Sequence, residues 1–133
     1  MILGIGTDIC DSRRIARALE RHPDRFAERI FTPAERGAAG DKPDPSLFYA
    51  KRFAAKEAVY KALNRAGVRG LGWQDAEILN DKSGAPSLRL VGACKTALET
   101  LTPEGYKATV NLSLSDEPPY AVAFVVVSAI SDR

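Results

Sequence analysis

Two acidic residues in this sequence occupy settings that favour chemistry at a phosphate. Asp8 lies near the end of the apolar run 2–9, which contains Gly4 and Gly6 and predicts a buried strand. Glu57 lies within a long, alanine-rich helical pattern. Mg²⁺ tolerates a set of only two carboxylates, because it keeps several waters and fills its octahedron with substrate phosphate oxygens. The two residues together therefore suggest a Mg²⁺-dependent reaction at a phosphate group.

The helical row around Glu57 allows two interpretations. Phe53, Glu57 and Lys61 follow one another at intervals of four residues, so they share one face of a helix. An ordinary solvent-exposed Glu–Lys pair has the same spacing as a functional one. Asp8 has a similar alternative, because an acid after a strand is often the turn or capping residue before the next helix. From spacing alone, both interpretations stay open.

A basic stripe is predicted on the first helix, which runs from about residue 12 to His22 and ends before Pro23. Ile15 and Leu19 lie on the side that packs against the core. The opposite side carries four arginines: Arg13, Arg14, Arg17 and Arg21. The formal net charge of +2 is too small to indicate nucleic-acid binding by itself, so the uneven placement of charge is the more informative feature. The stripe is either a binding surface or a merely solvated helix face.

The elements that must position these residues alternate between strand and helix patterns. Helical patterns cover 12–22, the stretch 25–39 with a break at Thr32-Pro33, the long segment 46–66 closed by Gly67, and 92–101. Strand patterns cover 2–9, 73–79, 87–90 and a hairpin of 107–115 with 120–129. The sequence therefore predicts a single α+β domain spanning residues 1–133, with a mainly antiparallel sheet packed on the long helix.

Composition places the chain among compact globular proteins. Its 133 residues are 45% hydrophobic and 27% charged, which suits one domain with a modest core. There is no basic leader segment and no apolar stretch long enough for a membrane span, so we expect a cytoplasmic protein. Cys10 and Cys94 lie far apart without metal-ligand spacing, which predicts two small buried side chains.

Two longer segments of the sequence indicate a protein family. GIGTDICDSRRIARAL near the start and RFAAKEAVYKAL about fifty residues later resemble the two signature segments of holo-acyl-carrier-protein synthases, in the same order and spacing. FAERIFTPAE, SGAPSLRL and LSLSDEPPYAVAFVVV extend the similarity over nearly the whole chain. Two motifs in register are a specific signal, whereas either alone is weak.

The resemblance implies a reaction and a set of site residues. The carrier-protein serine would attack the β-phosphate of coenzyme A, with transfer of phosphopantetheine and release of 3′,5′-ADP. Asp8 and Glu57 would bind Mg²⁺, and Lys61 would contribute a cation beside the phosphate or leaving group. Glu35 corresponds to an acid that would act through water on the serine proton, although an acid in the first turn of a helix is also favoured by the helix dipole. Lys61 keeps its alternative as the exposed partner of Glu57.

The resemblance also implies how the donor and the partner bind. Arg52 and Lys56 would hold nucleotide phosphates, and the turn 83–86, with Gly84 and Pro86, would lie along coenzyme A. Solvated basic side chains and an ordinary Gly-Ala-Pro turn are the respective alternatives. Acyl carrier proteins are strongly acidic, so the stripe of Arg13, Arg14, Arg17 and Arg21 would steer the carrier towards the site. The family is usually trimeric, with a coenzyme A site at each subunit interface.

One position departs from the family pattern. Many relatives have a histidine after Ser-x-Ser in the penultimate strand, whereas LSLSDE has Asp116 there, and the only histidine, His22, is elsewhere. An acid at this position would repel donor phosphates unless a cation or water intervenes, so no phosphate-binding role is transferred to it. On the last strand, Phe124 and Val126 can face either the subunit's own core or a neighbouring subunit.

Two other functions also fit parts of the pattern. One is a different Mg²⁺-dependent enzyme that transfers or hydrolyses a phosphate and recognises a nucleotide. The other is a non-catalytic basic module that binds an acidic protein or nucleic acid through the arginine stripe. The second explains the stripe but gives no reason for Glu57.

Overall fold

A computed structural model describes residues 1–133 as one α+β unit. The five strands are β1 (Ile2–Asp11), β2 (Ala76–Asn80), β3 (Pro86–Leu90), β4 (Tyr106–Glu117) and β5 (Tyr120–Ser131). The five α-helices are α1 (Ser12–Arg21), α2 (Arg25–Ile30), α3 (Pro33–Ala39), α4 (Ser46–Leu63) and α5 (Gly92–Leu101). No helix combines the length and the hydrophobicity that spanning a bilayer would require.

Helix α4 lies at the centre of the molecule because its buried side is made of small residues. Five alanines on that side are at most 1% exposed: Ala50, Ala54, Ala55, Ala58 and Ala62. The inward-facing residues of β5 are also small or β-branched: Ala121, Ala123, Val125, Val127 and Ala129. Small side chains on both surfaces let the helix approach the sheet closely at native packing density. Side chains at the margin of this contact are therefore held firmly relative to β1.

The main sheet has three antiparallel strands in the order β1-β5-β4. Asp8 of β1 lies opposite Ala123 of β5, which in turn lies opposite Leu114 of β4. The β2–β3 hairpin forms a separate two-stranded antiparallel sheet. The predicted α+β class with antiparallel pairing is confirmed, but the strands are divided between two sheets.

Some element boundaries differ from the sequence prediction for local reasons. Strand β2 begins at Ala76 because the preceding residues, Trp73–Asp75, form a 3₁₀ turn in which the Asp75 carboxylate accepts a hydrogen bond of 2.8 Å from the Gly72 amide. The final hairpin is longer than predicted, since β4 continues to Glu117 and β5 continues to Ser131. The predicted break between α2 and α3 is confirmed, and Thr32 caps α3 as expected.

The two faces of the main sheet have different surroundings. One face packs on α4, whereas the other carries exposed apolar side chains, including Ile5, Ile9, Val122 and Phe124, which are 61%, 62%, 36% and 46% exposed. Phe124 and Val126 lie on the outer face, so neither belongs to the subunit's own core. The cysteines behave as predicted: both are buried free thiols, and burial raises the pKa of Cys10 to about 11.

Candidate active site

Two glycines in β1 allow α4 to approach the strand that carries Asp8. A methyl group on Gly4 would overlap the carbonyl oxygen of Ala62, and one on Gly6 would overlap that of Ala58. Both positions therefore need glycine for a steric reason, namely the contact between strand backbone and helix backbone. The contact places the C-terminal half of α4, which includes Glu57 and Lys61, beside β1 near Asp8.

Asp8 and Lys61 meet at this junction. The Lys61 ammonium lies 3.1 Å from Asp8 Oδ1 and donates a 2.9 Å hydrogen bond to the Thr7 carbonyl oxygen. The Lys61 side chain is 55% exposed and that of Asp8 is 19% exposed. Lys61 is thus held by oxygen atoms of β1 but keeps access to solvent, so its ammonium can also contact a ligand. The predicted proximity of a lysine to the carboxylates is realised, with Asp8 rather than Glu57 as its bonded partner.

Glu57 is half-buried, and both its burial and the charges of its neighbours affect its pKa. Burial raises the pKa of its carboxyl, the negative charge of Asp8 raises it further, and the Lys61 and Arg14 cations act in the opposite direction. The electrostatic repulsion between two neighbouring carboxylates decreases when a cation binds between them. The geometry therefore creates a site with a preference for positive charge.

The donor set fits a hard divalent ion that retains water. The available protein ligands near this point are carboxylate and carbonyl oxygens, which suit Mg²⁺. No group of three or more His, Cys, Asp and Glu side chains that could hold a metal ion forms in the chain. Asp8 and Glu57 are the residues that would hold Mg²⁺, with the remaining positions left for water and phosphate oxygens.

The basic stripe on α1 continues from this site, with one change from the prediction. Arg14, Arg17 and Arg21 line one shallow pocket on the helix surface. The Arg13 guanidinium instead donates bidentate hydrogen bonds of 2.8–3.2 Å to the Asp11 carboxylate. The same guanidinium lies 5.9 Å from the centroid of the Tyr120 ring. The available positive surface is therefore formed by three of the four predicted arginines.

A groove of about 710 Å³ lies next to the arginine surface and had not been predicted from the sequence. Its apolar wall includes Phe26, Phe53 and Trp73, and the Phe53 and Trp73 rings stack with their centroids 5.1 Å apart. Arg25 and Arg29 line the same groove. The spacing of Arg25 and Arg29 by four residues on a short helix was the available signal, but it acquires meaning only when α2 is known to lie beside α1 and the 3₁₀ turn Trp73–Asp75.

Comparisons with known proteins identify this arrangement. Residues 4–125 match the model of the 4'-phosphopantetheinyl transferase superfamily. This chain belongs to that superfamily. A holo-[acyl-carrier-protein] synthase of Methylobacterium sp. (strain 4-46) is 49% identical over 133 residues, covering 100% of this chain and 98% of the relative.

Solved structures of other superfamily members have the same fold. The crystal structure of holo-[acyl-carrier-protein] synthase from Neisseria meningitidis has a TM-score of 0.81 and 40% identity, covering 96% of this chain and 99% of that one. The Helicobacter pylori holo-[acyl-carrier-protein] synthase, solved in complex with coenzyme A, has a TM-score of 0.74 and 30% identity, covering 93% and 99%. The antiparallel α+β architecture predicted from the sequence is therefore that of solved phosphopantetheinyl transferases.

Two residues that the resemblance assigned to catalysis and donor binding do not reach solvent. Glu35 and Lys56 are both 0% exposed and lie 2.8 Å from each other. A carboxylate enclosed in this way cannot contact a water beside a carrier serine, and the ammonium cannot contact a phosphate. The predicted role of Glu35 as an acid acting through water and that of Lys56 as a phosphate ligand are incompatible with these positions.

Arg52 is buried but incompletely satisfied. Its side chain lies over the Phe48 ring at 3.6 Å from the ring centroid, and it donates one long hydrogen bond of 3.4 Å to the Phe48 carbonyl oxygen. Its Nε has no hydrogen-bond partner, and burial lowers the pKa of the guanidinium, with Glu35 opposing that change. A buried guanidinium with an unused donor is a group that an anion would stabilise.

The remaining predicted coenzyme A segment lies apart from the carboxylates. Gly84 is exposed at the tip of the β2–β3 hairpin with φ of 89°, and Pro86 begins β3. The Asp81 carboxylate organises this turn by accepting hydrogen bonds from the Ser83 and Ala85 amides. No hydrogen bond or ion pair within the chain joins the turn to Asp8, Glu57 or Lys61.

Asp116 has a cation beside it. The Lys51 ammonium lies 2.9 Å from Asp116 Oδ2, and both side chains are about one-third exposed, at 30% and 31%. The negative charge that would repel donor phosphates at this position is therefore balanced within the subunit. The pair joins α4 to β4, the edge strand opposite β1.

Proposed function

We propose that this phosphopantetheinyl transferase moves the 4′-phosphopantetheine group of coenzyme A to a serine of apo-acyl carrier protein. The products are holo-acyl carrier protein and 3′,5′-ADP, and the reaction supports fatty acid biosynthesis. The observation that carries the proposal is the meeting of Asp8 from β1 with Lys61 and Glu57 from α4, in a chain that belongs to this superfamily. The predicted cytoplasmic location stays a prediction.

The side chains at the junction have distinct tasks. Asp8 and Glu57 would hold Mg²⁺, which when bound would neutralise charge on the pyrophosphate and on the leaving oxygen. Lys61 lies close enough to move its exposed ammonium from Asp8 to a phosphate oxygen. Phosphoryl transfer depends chiefly on positioning and charge neutralisation, so these three residues supply what the chain must contribute.

The carrier protein docks on the positive surface beside the site. Arg14 contributes to the electrostatic environment of Glu57, and Arg17 and Arg21 extend the same surface along α1. An acidic carrier is attracted to such a surface at long range, and salt screens the attraction. Arg13 contributes less, because Asp11 already neutralises it.

Coenzyme A binding uses groups that lie away from the carboxylates within one subunit. The exposed turn with Gly84 and Pro86 offers a surface for the nucleotide portion. The unused Nε donor of Arg52 is nearly as enclosed as the Lys56 ammonium, so it would bind a phosphate only if the surrounding residues moved apart. We infer a homotrimer in which subunit interfaces complete the donor sites. This is supported by the outer sheet face, where Ile5, Ile9 and Phe124 expose a contiguous apolar area of the kind that marks protein interfaces.

The decisive experiment is intact-mass analysis of a purified apo-acyl carrier protein after incubation with this protein, coenzyme A and Mg²⁺. The expected result is a mass gain of one phosphopantetheine group, which is absent when the metal is chelated. The absence of any gain with folded protein and several carriers would reject the proposal. A gain that persists after complete chelation would reject its metal dependence.

A further inference from the structure

The interior of the molecule contains one fully buried ion pair, between Lys56 of α4 and Glu35 of α3. Lys56 uses its ammonium for three contacts: 2.8 Å to Glu35 Oε1, 2.9 Å to the Trp73 carbonyl oxygen and 2.6 Å to the Ala76 carbonyl oxygen. Two of these contacts are hydrogen bonds to carbonyl oxygens, and the third is an ion pair. The lysine is thereby fixed in direction as well as in position.

Glu35 completes the same network on the other side. Its Oε1 accepts a 2.9 Å hydrogen bond from the Thr32 amide, and its Oε2 accepts one of 2.9 Å from the Ile78 amide. The pair therefore ties α4 to the start of α3, to the 3₁₀ turn before β2 and to β2 itself. No other side-chain pair in the chain connects as many elements without contact with solvent.

We propose that Lys56 and Glu35 are positioning residues that orient Glu57 towards Asp8. This inference rests on the proposed function, because it assigns the pair to the geometry of the same metal-binding carboxylates. Lys56 and Glu57 are adjacent on α4, and successive residues of a helix differ by about 100° in direction. Fixing the direction of Lys56 therefore fixes the direction of Glu57.

Two contacts on different sides of α4 together define its placement. The Gly4 and Gly6 contacts set the distance of the helix from β1, and close packing holds that side of the helix. The Lys56 network adds directional hydrogen bonds on another side of the helix, so it opposes rotation about the helix axis. Asp8 belongs to β1 and Glu57 to α4, so their separation depends on both contacts.

The network also fixes the aromatic wall beside Glu57. Lys56 bonds the Trp73 carbonyl oxygen, and the Trp73 ring stacks on Phe53, one helical turn before Glu57. Tyr60 packs against the same ring, with centroids 5.5 Å apart, and its hydroxyl donates to the Gly72 carbonyl oxygen. Displacement of the pair would therefore move both the metal-binding carboxylate and the groove wall.

The energetics of burial favour this interpretation over a purely stabilising one. Removing two charges from water carries a desolvation penalty that their attraction barely offsets, and apolar pairs of similar volume are often at least as stable. The best-supported use of a buried polar pair is to specify one arrangement among alternatives. Here that arrangement is the rotation of the helix carrying Glu57.

The test compares the wild type with the doubly neutral variant Lys56→Met, Glu35→Gln, which avoids leaving one buried charge alone. Glu35→Gln alone is the second variant. Leu112→Ala, on the strand at the far edge of the sheet, is the control for a general loss of stability. Mn²⁺ binding to the protein alone is measured by electron paramagnetic resonance, Trp73 emission by fluorescence, and kcat and KM by carrier modification, all well below each variant's melting temperature.

We expect the double variant to bind Mn²⁺ about tenfold more weakly, because the loss of a residue that orients a metal ligand typically lowers metal affinity by about this factor or more. We expect kcat to fall about tenfold or more with KM for the carrier unchanged, because misplacement of a reacting group impairs the chemical step. Trp73 emission should shift, whereas Leu112→Ala should match the wild type in Mn²⁺ affinity and kcat.

Wild-type Mn²⁺ affinity in either folded pair variant would overturn the inference, and so would equal losses in Leu112→Ala. Failure of both pair variants to fold, with Leu112→Ala folded, would make the pair a stability element and would also overturn it. If the wild-type protein fails to modify any carrier, the proposed function fails, while the Mn²⁺ comparison still decides the positioning role.

Discussion

The Lys61 ammonium of α4 lies 3.1 Å from the Asp8 carboxylate of β1, although 53 positions separate the two residues in the chain. Asp8 is mostly enclosed, whereas Lys61 is more than half exposed. The acid is thus held in place while the cation can move towards a bound phosphate. The contact exists only because α4 packs directly on β1, so site geometry and core packing are coupled.

Glu57→Gln should abolish most of the turnover while leaving carrier binding intact. The substitution preserves shape but removes one of two carboxylates for Mg²⁺, and metal charge stabilisation is worth several kcal/mol, so we expect a rate loss of about 10³-fold. Rates are measured by carrier mass and binding by calorimetry. If the wild type does not modify the carrier, and carrier binding survives Glu57→Gln but is abolished by arginine substitutions, the protein is a non-catalytic basic module instead.

Gly6→Ala should destabilise the fold and reduce activity together. The added methyl group meets the Ala58 carbonyl oxygen, and overpacking of this kind costs about 1–3 kcal/mol or more. Denaturant unfolding measures the change. Gly37→Ala is the matched control, because Gly37 lies in α3 with open space around it, and there alanine should be neutral or stabilising by about 0.5–1 kcal/mol. Equal effects at both positions would contradict the close-contact argument.

Reversing charge at Arg17 and Arg21 should weaken use of the carrier without affecting the chemical step. The double change Arg17→Glu, Arg21→Glu should raise KM for the carrier about tenfold or more, because a steering surface becomes repulsive. The salt dependence of kcat/KM should flatten at the same time. The double change Lys95→Glu, Arg65→Glu, at two exposed positions outside α1, is the control with the same change in net charge. An equal rise in KM in the control would show that the location of the arginines is irrelevant.

Phe124→Glu should prevent assembly of the proposed trimer. The side chain is 46% exposed on the apolar outer face, and a carboxylate there would be buried without a partner in an interface. Light scattering coupled to size exclusion should report a trimer for the wild type and a monomer for the variant. Thr96→Glu, exposed on α5, should leave the mass unchanged. A monomeric wild type with full activity would contradict the shared-site arrangement.

Asp11→Asn should destabilise the protein at neutral pH, and this difference should disappear in acid. Asp11 caps α1, and the Arg13 hydrogen bonds lower the pKa of its carboxyl from the usual 3.8 to about 2. A lowered pKa stabilises the fold above 3.8 and loses that contribution as pH falls towards 2. Asparagine preserves the cap oxygen, so the variant isolates the charge. Denaturant unfolding at pH 6 and pH 3 should show a smaller difference at the lower pH.

Much of the fold was predictable because local patterns specify local elements. The alanine-rich segment 46–63 has a high helix propensity and forms α4, Thr32-Pro33 separates two helices, and the alternating segments near the C-terminus form a hairpin. Asp8 and Glu57 were also predictable as a pair, since their motifs are specific. The 3₁₀ turn Trp73–Asp75 was not, because a side-chain hydrogen bond from Asp75 to the Gly72 amide overrides the strand preference of this segment.

The amino-acid sequence alone determined the α+β class, the family and the residues that meet at the end of β1. Only the tertiary structure decided which charged residues are available to a ligand. Lys56 and Glu57 are neighbours in the same helix, yet the first is enclosed with Glu35 and the second lies beside Asp8. Sequence spacing gives the direction of a side chain relative to its own helix. Whether that direction leads to solvent, to a partner or to the core depends on what the rest of the chain packs against it.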